Sequence, residues 1–230
     1  MRHMDGLHKM ALAALIATST LVVIAATAWG VRFFATMHSS QTAKPSTNPS
    51  DYALGGFPLP GKLAPDFTLI DQFNQPVTLS SLRGHEVVLA FIDARCKTLC
   101  PLTAQIMYNA KVRLGTAAAS QVELVAVNAN PDATSITEVQ SWSINHGMLH
   151  QWLFLTGSAQ QLQAIYHQYN VYDQVDANGN ATHDPITFII DATGHERLYF
   201  ETLESNKAAD LNDEEVGLAD GMRQWLPQPK

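Results

Sequence analysis

Two cysteines are all that 230 residues contain, and both fall in the six-residue stretch CKTLCP at 96 to 101. So few cannot build the disulfide framework of a small secreted scaffold, and a chain of this length buries enough apolar surface not to need one. Cations are scarce too: 14 Lys and Arg stand against 21 Asp and Glu, a formal net charge of −7, with no basic stripe anywhere along the chain. The electrostatic footprint of a nucleic-acid binder is missing, which sets DNA and RNA aside as partners. The cysteine pair is left as a candidate for redox or metal chemistry.

What is present first is an uncharged apolar segment, residues 11–31. It matches the ~20 residues that span a bilayer as a helix, and is read as a transmembrane anchor. Arg2 and Lys9 precede it, so the positive-inside tendency leaves residues 1–10 in the cytoplasm and exports all that follows, with Arg32 weakening the asymmetry. The alternative is a signal peptide cleaved near Ala26-Thr27-Ala28. Either reading places the folded part outside the cytoplasm. Residues 32–62, rich in Ser, Thr, Pro and Gly from 38 onward, read as a linker, and 63–230 as one globular domain.

Within that domain, Phe67–Ile70 and Val77–Leu79 flank the turn signal Asn74-Gln75-Pro76 and suggest a hairpin. Strand-like runs at 87–92, 122–127, 152–155, 187–190 and 198–200 alternate with helical stretches. The first helix, 101–116, has Pro101 in its opening turn, Gly115 as its stop, and Leu102, Ile106, Ala110 and Val112 near one face. Helices at 135–145 and 158–169 open with capping-box pairs, Ser135/Glu138 and Ser158/Gln161. Residues 172–182 read as a polar loop, and a largely polar helix is expected over about 205–225. The pattern predicts an α/β fold with a central mixed sheet flanked by helices.

Ligands in such sheets gather at the carboxyl ends of strands, and Cys96 and Cys100 lie just beyond the end of the 87–92 strand, where a helix begins. Unpaired N–H groups at a helix start favour a thiolate, and Arg95 and Lys97 are expected to push the same way. Three intervening residues allow a disulfide and also allow the loop to open around a metal. Spacing alone leaves both open, alongside a structural disulfide or a pair that merely packs.

Of nine histidines, His183 stands apart, closing the polar loop in THDPITFIID just ahead of an apolar strand. Taken alone, it is a solvated loop residue. Pro185-Ile186-Thr187-Phe188, however, resembles the segment of thioredoxin-like domains in which a cis proline sits against the active cysteines. That resemblance would bring His183 to the sulfurs. Two thiolates with one imidazole form a soft donor set suited to copper, whereas closed zinc sites usually want a fourth ligand.

From about Ala64 to Phe200 the chain resembles the Sco/SenC family, membrane-tethered copper proteins of thioredoxin-like fold. The residues that carry the likeness are Ala64-Pro65-Asp66-Phe67-Thr68-Leu69, Leu82-Arg83-Gly84, Cys96 and Cys100 with Pro101, Val127-Asn128-Ala129-Asn130-Pro131-Asp132, Leu155-Thr156-Gly157, and His183 eight residues before Asp191. The resemblance implies Cys96, Cys100 and His183 as ligands of Cu(I) or Cu(II), and the copper-binding subunit of cytochrome c oxidase as the partner whose dinuclear site is matured. Exported to an oxidising compartment, the pair needs a partner, a thioredoxin-like reductant, to keep it reduced before it can take Cu(I). Lys97 stands where the family commonly has proline, and Asp93-Ala94-Arg95 replaces an aromatic-and-threonine lead-in. A thiol-disulfide oxidoreductase, with Cys96 attacking and Cys100 resolving, is the competing reading. Asp184 is a candidate to hold the second ring nitrogen of His183.

Overall fold

A computed structural model of the chain describes residues 56–171, 173–175, 181–183, 185–204 and 208–227, all within the unit Ser46–Lys230. The expected cytoplasmic residues 1–10, the anchor at 11–31 and most of the linker lie outside them. Among the described residues no helix is long and apolar enough to cross a membrane.

The centre of the molecule is strand β4, Glu86–Ile92, all seven residues of which are buried. Its continuous apolar run follows from its position. Strand β5, Val122–Asn128, pairs with it in parallel, and β9, Ile186–Ile190, pairs antiparallel on the other side. The rest of the six-stranded sheet comprises β6 (Leu153–Leu155), β10 (Glu196–Glu201) and the short β1 (Phe57–Pro58), in the order β1-β10-β9-β4-β5-β6. Successive side chains of β4 alternate between two cores. Val88, Ala90 and Ile92 meet helices α1 (Leu99–Arg113), α3 (Ile136–Asn145) and α5 (Ala208–Trp225); Val87, Leu89 and Phe91 meet α4 (Ala159–Gln168) and the hairpin around residues 68–78. Strands β2 (Thr68–Ile70) and β3 (Pro76–Thr78) pair antiparallel, as the turn signal predicts. A 3-10 turn, Leu79–Leu82, leads into β4. The mixed sheet with helices on both faces is the architecture expected.

Local signals explain most boundaries. Ser158 and Gln161 form a full capping box at α4, and Ser135 accepts the Glu138 N–H at α3. Helix α1 is followed by Gly115 at φ 77°, a backbone conformation that costs glycine little, and then by the short helix α2, Thr116–Ala119. Two details differ from expectation. The buried stripe of α1 is Cys100, Thr103, Ala104, Ile106, Met107 and Ala110, while Val112 is 56% exposed because it lies well around the helix from Met107. Residues 172–182 are not simply a loop: β7 (Asp173–Val175) and β8 (Ala181–His183) pair antiparallel. Residues 57–62 run beside β10, with Leu59 donating to the Arg197 carbonyl and Glu196 to that of Lys62.

Candidate functional site

Strand β4 stops at Ile92, and Asp93 turns the chain. Its Oδ1 accepts the N–H of Arg95 at 2.8 Å and its carbonyl that of Cys96 at 3.1 Å. Cys96 therefore leaves the sheet on a tight bend and faces the start of α1. Thr98, the residue preceding the helix, makes no side-chain cap. The Cys96 sulfur takes that part instead, accepting the backbone N–H of Cys100 at 3.4 Å and lying 3.7 Å from the Thr98 hydroxyl.

The two cysteines are thiols that share one hydrogen bond, and their environments drive them apart. The bond from the Cys100 thiol, with N–H and hydroxyl donors from Cys100 and Thr98, outweighs burial and lowers the Cys96 pKa to about 4. The same thiol–thiol bond, then burial and the negative charge of Cys96, push Cys100 far upward. At neutral pH the pair holds one proton, on Cys100, beside a thiolate. The cations expected to acidify it do something else: Arg95 is bonded to Glu138 and the Asp132 carbonyl, and Lys97 is exposed.

Cys100 is 1% exposed, and its helix is tied to the residue that follows β10, at the end of the sheet from which the cysteines project. Thr103 lies one turn on and donates to the Thr202 hydroxyl at 2.9 Å, while the backbone N–H of Thr202 reaches the Pro185 carbonyl at 2.9 Å. Since Thr187 pairs with Ala90, Pro185 stands level with Ile92 at the carboxyl end of β4. The chain that carries His183 thus runs into the edge from which the cysteines project. His183 ends β8 opposite Asp173. Its side chain, with Asp184 and the Asp184–Pro185 bond, lies outside the described residues. Among the described side chains no group of three His, Cys, Asp or Glu gathers to hold a metal.

Cys96 and Cys100 are therefore brought together as the sequence predicts. Glu138, Trp142, Thr103 and Thr202 were not legible as site residues, because each acts across 43 to 99 positions of chain. What the described part offers chemically is a pair of sulfurs, one already ionised, at the mouth of the sheet. Thiolates are soft donors that select Cu(I), so the set fits that ion; it equally fits nucleophilic thiol exchange.

Comparison with known proteins points in one direction. A family model described as SCO1/SenC matches residues 58–212. A Stutzerimonas stutzeri protein named for copper binding is 27% identical over 101 residues, 44% of this chain and 48% of that one, so the chain spans about half the length of this curated relative. The fold is similar to that of Arabidopsis thaliana ScoI, solved with copper bound (TM-score 0.61, 18% identity, 71% of this chain and 100% of that one). It is also similar to that of BsSco, described as a member of the Sco family of cytochrome c oxidase assembly proteins with a disulfide switch (TM-score 0.55, 20% identity, 72% and 96%).

Proposed function

Because this chain belongs to the SCO1/SenC family, we propose that it is a copper chaperone binding Cu(I) or Cu(II) through Cys96, Cys100 and His183. Its client is the copper-binding subunit of cytochrome c oxidase, whose dinuclear site it helps to mature. Copper binding in the named relative and in the plant structure supports this reading, as does the oxidase-assembly role stated for BsSco. The observation that carries it is the pair of thiol sulfurs at the start of α1, with that of Cys96 accepting the Cys100 N–H at 3.4 Å; the Cys100 thiol and this N–H group hold the Cys96 pKa down, so that capture of Cu(I) by both sulfurs displaces mainly the proton of Cys100. The apolar segment 11–31 anchors the domain in the membrane on the extracytoplasmic side, where a thioredoxin-like reductant keeps the two thiols reduced.

A second reading draws on the same asymmetry. A half-buried thiolate beside a fully buried thiol is the arrangement of an attacking and a resolving cysteine, as in a thiol-disulfide oxidoreductase. One substitution separates the two. In the copper reading, His183→Ala lowers Cu(II) affinity by more than the roughly 10- to 100-fold that loss of an outer partner costs. Reduction of a test disulfide stays near wild type, whereas Cys96→Ser abolishes both activities. Spectroscopic titration with Cu(II) decides it: equal affinity in wild type and His183→Ala removes the third ligand and leaves thiol exchange as the function.

A further inference from the structure

Helix α3 does more than fill the core beneath the cysteines. Glu138 and Trp142 are four residues apart, one helical turn, and project from the same face. Glu138 Oε1 accepts from Arg95 Nε at 3.0 Å and Nη2 at 2.8 Å, while its Oε2 accepts the hydroxyl of the capping residue Ser135 at 2.9 Å. Both oxygens of the carboxylate are thereby fixed. Arg95 Nη2 also donates to the Asp132 carbonyl at 2.9 Å, in the turn that leads into α3. One turn on, Trp142 Nε1 donates to the Cys96 carbonyl at 3.5 Å, and its ring stacks on those of His146 and Trp152.

Consecutive residues 95 and 96 are thus fastened to α3, whereas Cys100 is built into α1. The backbone of Cys96 is held from α3 while its sulfur caps α1, the helix that carries Cys100, and along the chain only Lys97, Thr98 and Leu99 link the two cysteines. We propose that Glu138, supported by Trp142, is a positioning residue that clamps the backbone of Arg95 and Cys96, so that the packing of α3 fixes the reach between the sulfurs. The clamp rests on the dithiol reading of the site and extends it: a preorganised pair loses less freedom when it closes on a metal, so the metal leaves more slowly. Its action is positional and not electrostatic, since the Arg95 charge is spent on Glu138 and the Cys96 thiolate is held by donors of its own chain. The ion pair is part-exposed, 46% and 34%, and adds little to global stability, so cutting it leaves the fold in place.

The test uses Glu138→Gln and Arg95→Lys in the full chain. Lysine keeps the charge but loses the planar fork that reaches Glu138 and Asp132 together, so both variants behave alike. Amide hydrogen exchange at Cys96, Lys97 and Thr98 is expected to quicken, and Cu(I) retention against a competing chelator to fall, each roughly three- to tenfold. The pH midpoint of Cys96 alkylation stays where it is. Unchanged exchange in either variant overturns the clamp. So does an alkylation midpoint that falls in Glu138→Gln while Arg95→Lys remains normal, because an unpaired Arg95 cation beside the thiolate is the signature of a charge effect. If the wild type itself fails to retain Cu(I), the copper reading falls, and exchange at residues 96 to 98 alone decides for or against the clamp.

Discussion

Between Cys96 and Cys100 the difference that matters is who donates to whom. The first sulfur collects donors from the Cys100 thiol, the first helical N–H groups and Thr98; the second is sealed at 1% exposure with negative charge beside it. A pulse of iodoacetamide at pH 6 is therefore expected to alkylate Cys96 and spare Cys100, with a rate midpoint near the Cys96 pKa of about 4. Cys100→Ala, which removes the largest of these donors, raises that midpoint more than Thr98→Ala does. Mass spectrometry of the pulsed protein reads both, and a wild-type midpoint near the free-thiol value of about 8.5 would contradict the arrangement. An acidic thiol was legible in the sequence from its place before a helix. The helix-start N–H groups act as read, but the largest cause, the Cys100 thiol, was not legible, and the neighbours Arg95 and Lys97 have no fixed direction until the fold supplies Glu138, 43 residues away.

Secondary elements were legible where burial and local chemistry agree. Strands β4, β5 and β9 are β-branched and apolar because both of their faces are covered, and the Ser158/Gln161 box starts α4 by bonds within one turn. The β7–β8 pair escaped because Asp173, Gln174, Thr182 and His183 show no apolar alternation, although Asn178-Gly179 between them is a strong hairpin signal. The face of α1 escaped in part: Ile106 and Ala110 are buried as their spacing suggests, but only packing against α5 and the sheet adds Thr103 and Met107 and leaves Leu102 half-buried and Val112 exposed. Thr103 then does something no local pattern announces, joining α1 to Thr202 at the sheet edge that holds Pro185. Thr202→Val and Thr103→Val are each expected to cost about 1 kcal/mol in urea unfolding. The double variant should cost less than the sum, since the hydroxyls share one bond, although that of Thr103 also reaches the Leu99 carbonyl at 3.1 Å. Additive losses would show that the two hydroxyls act separately.

Across the whole molecule, the dithiol at one end of β4 is balanced by a carboxyl at the other. Glu86 begins the strand, is 0% exposed, and neither of its carboxyl oxygens has a hydrogen-bond partner among the described residues. Burial, and then the negative charge of Asp191, raise its pKa to about 9. Asp191 remains ionised because bonds from Thr193, His195 and Arg197 overcome its own burial. Glu86 thus takes up a proton on folding at neutral pH: protonated in the native state and ionised in the unfolded chain, it makes stability fall as pH rises from about 4.5 to about 9. Cys96 has the opposite sign. Its pKa drops from 9.0 to about 4 on folding, so its contribution grows as pH rises through the same range. Folding in effect moves one proton from the sulfur to the buried carboxyl, and the two slopes cancel. Glu214, raised to about 7 by burial, adds a decline that is largely complete by neutrality. Between pH 7 and 8 the wild type should therefore change little in urea-unfolding free energy. Glu86→Gln, left with the thiolate alone, becomes more stable with rising pH, and Cys96→Ser, left with the carboxyl alone, becomes less stable, each by up to about 1.4 kcal/mol per pH unit. Parallel pH profiles for the two variants would show that no such exchange of protons accompanies folding.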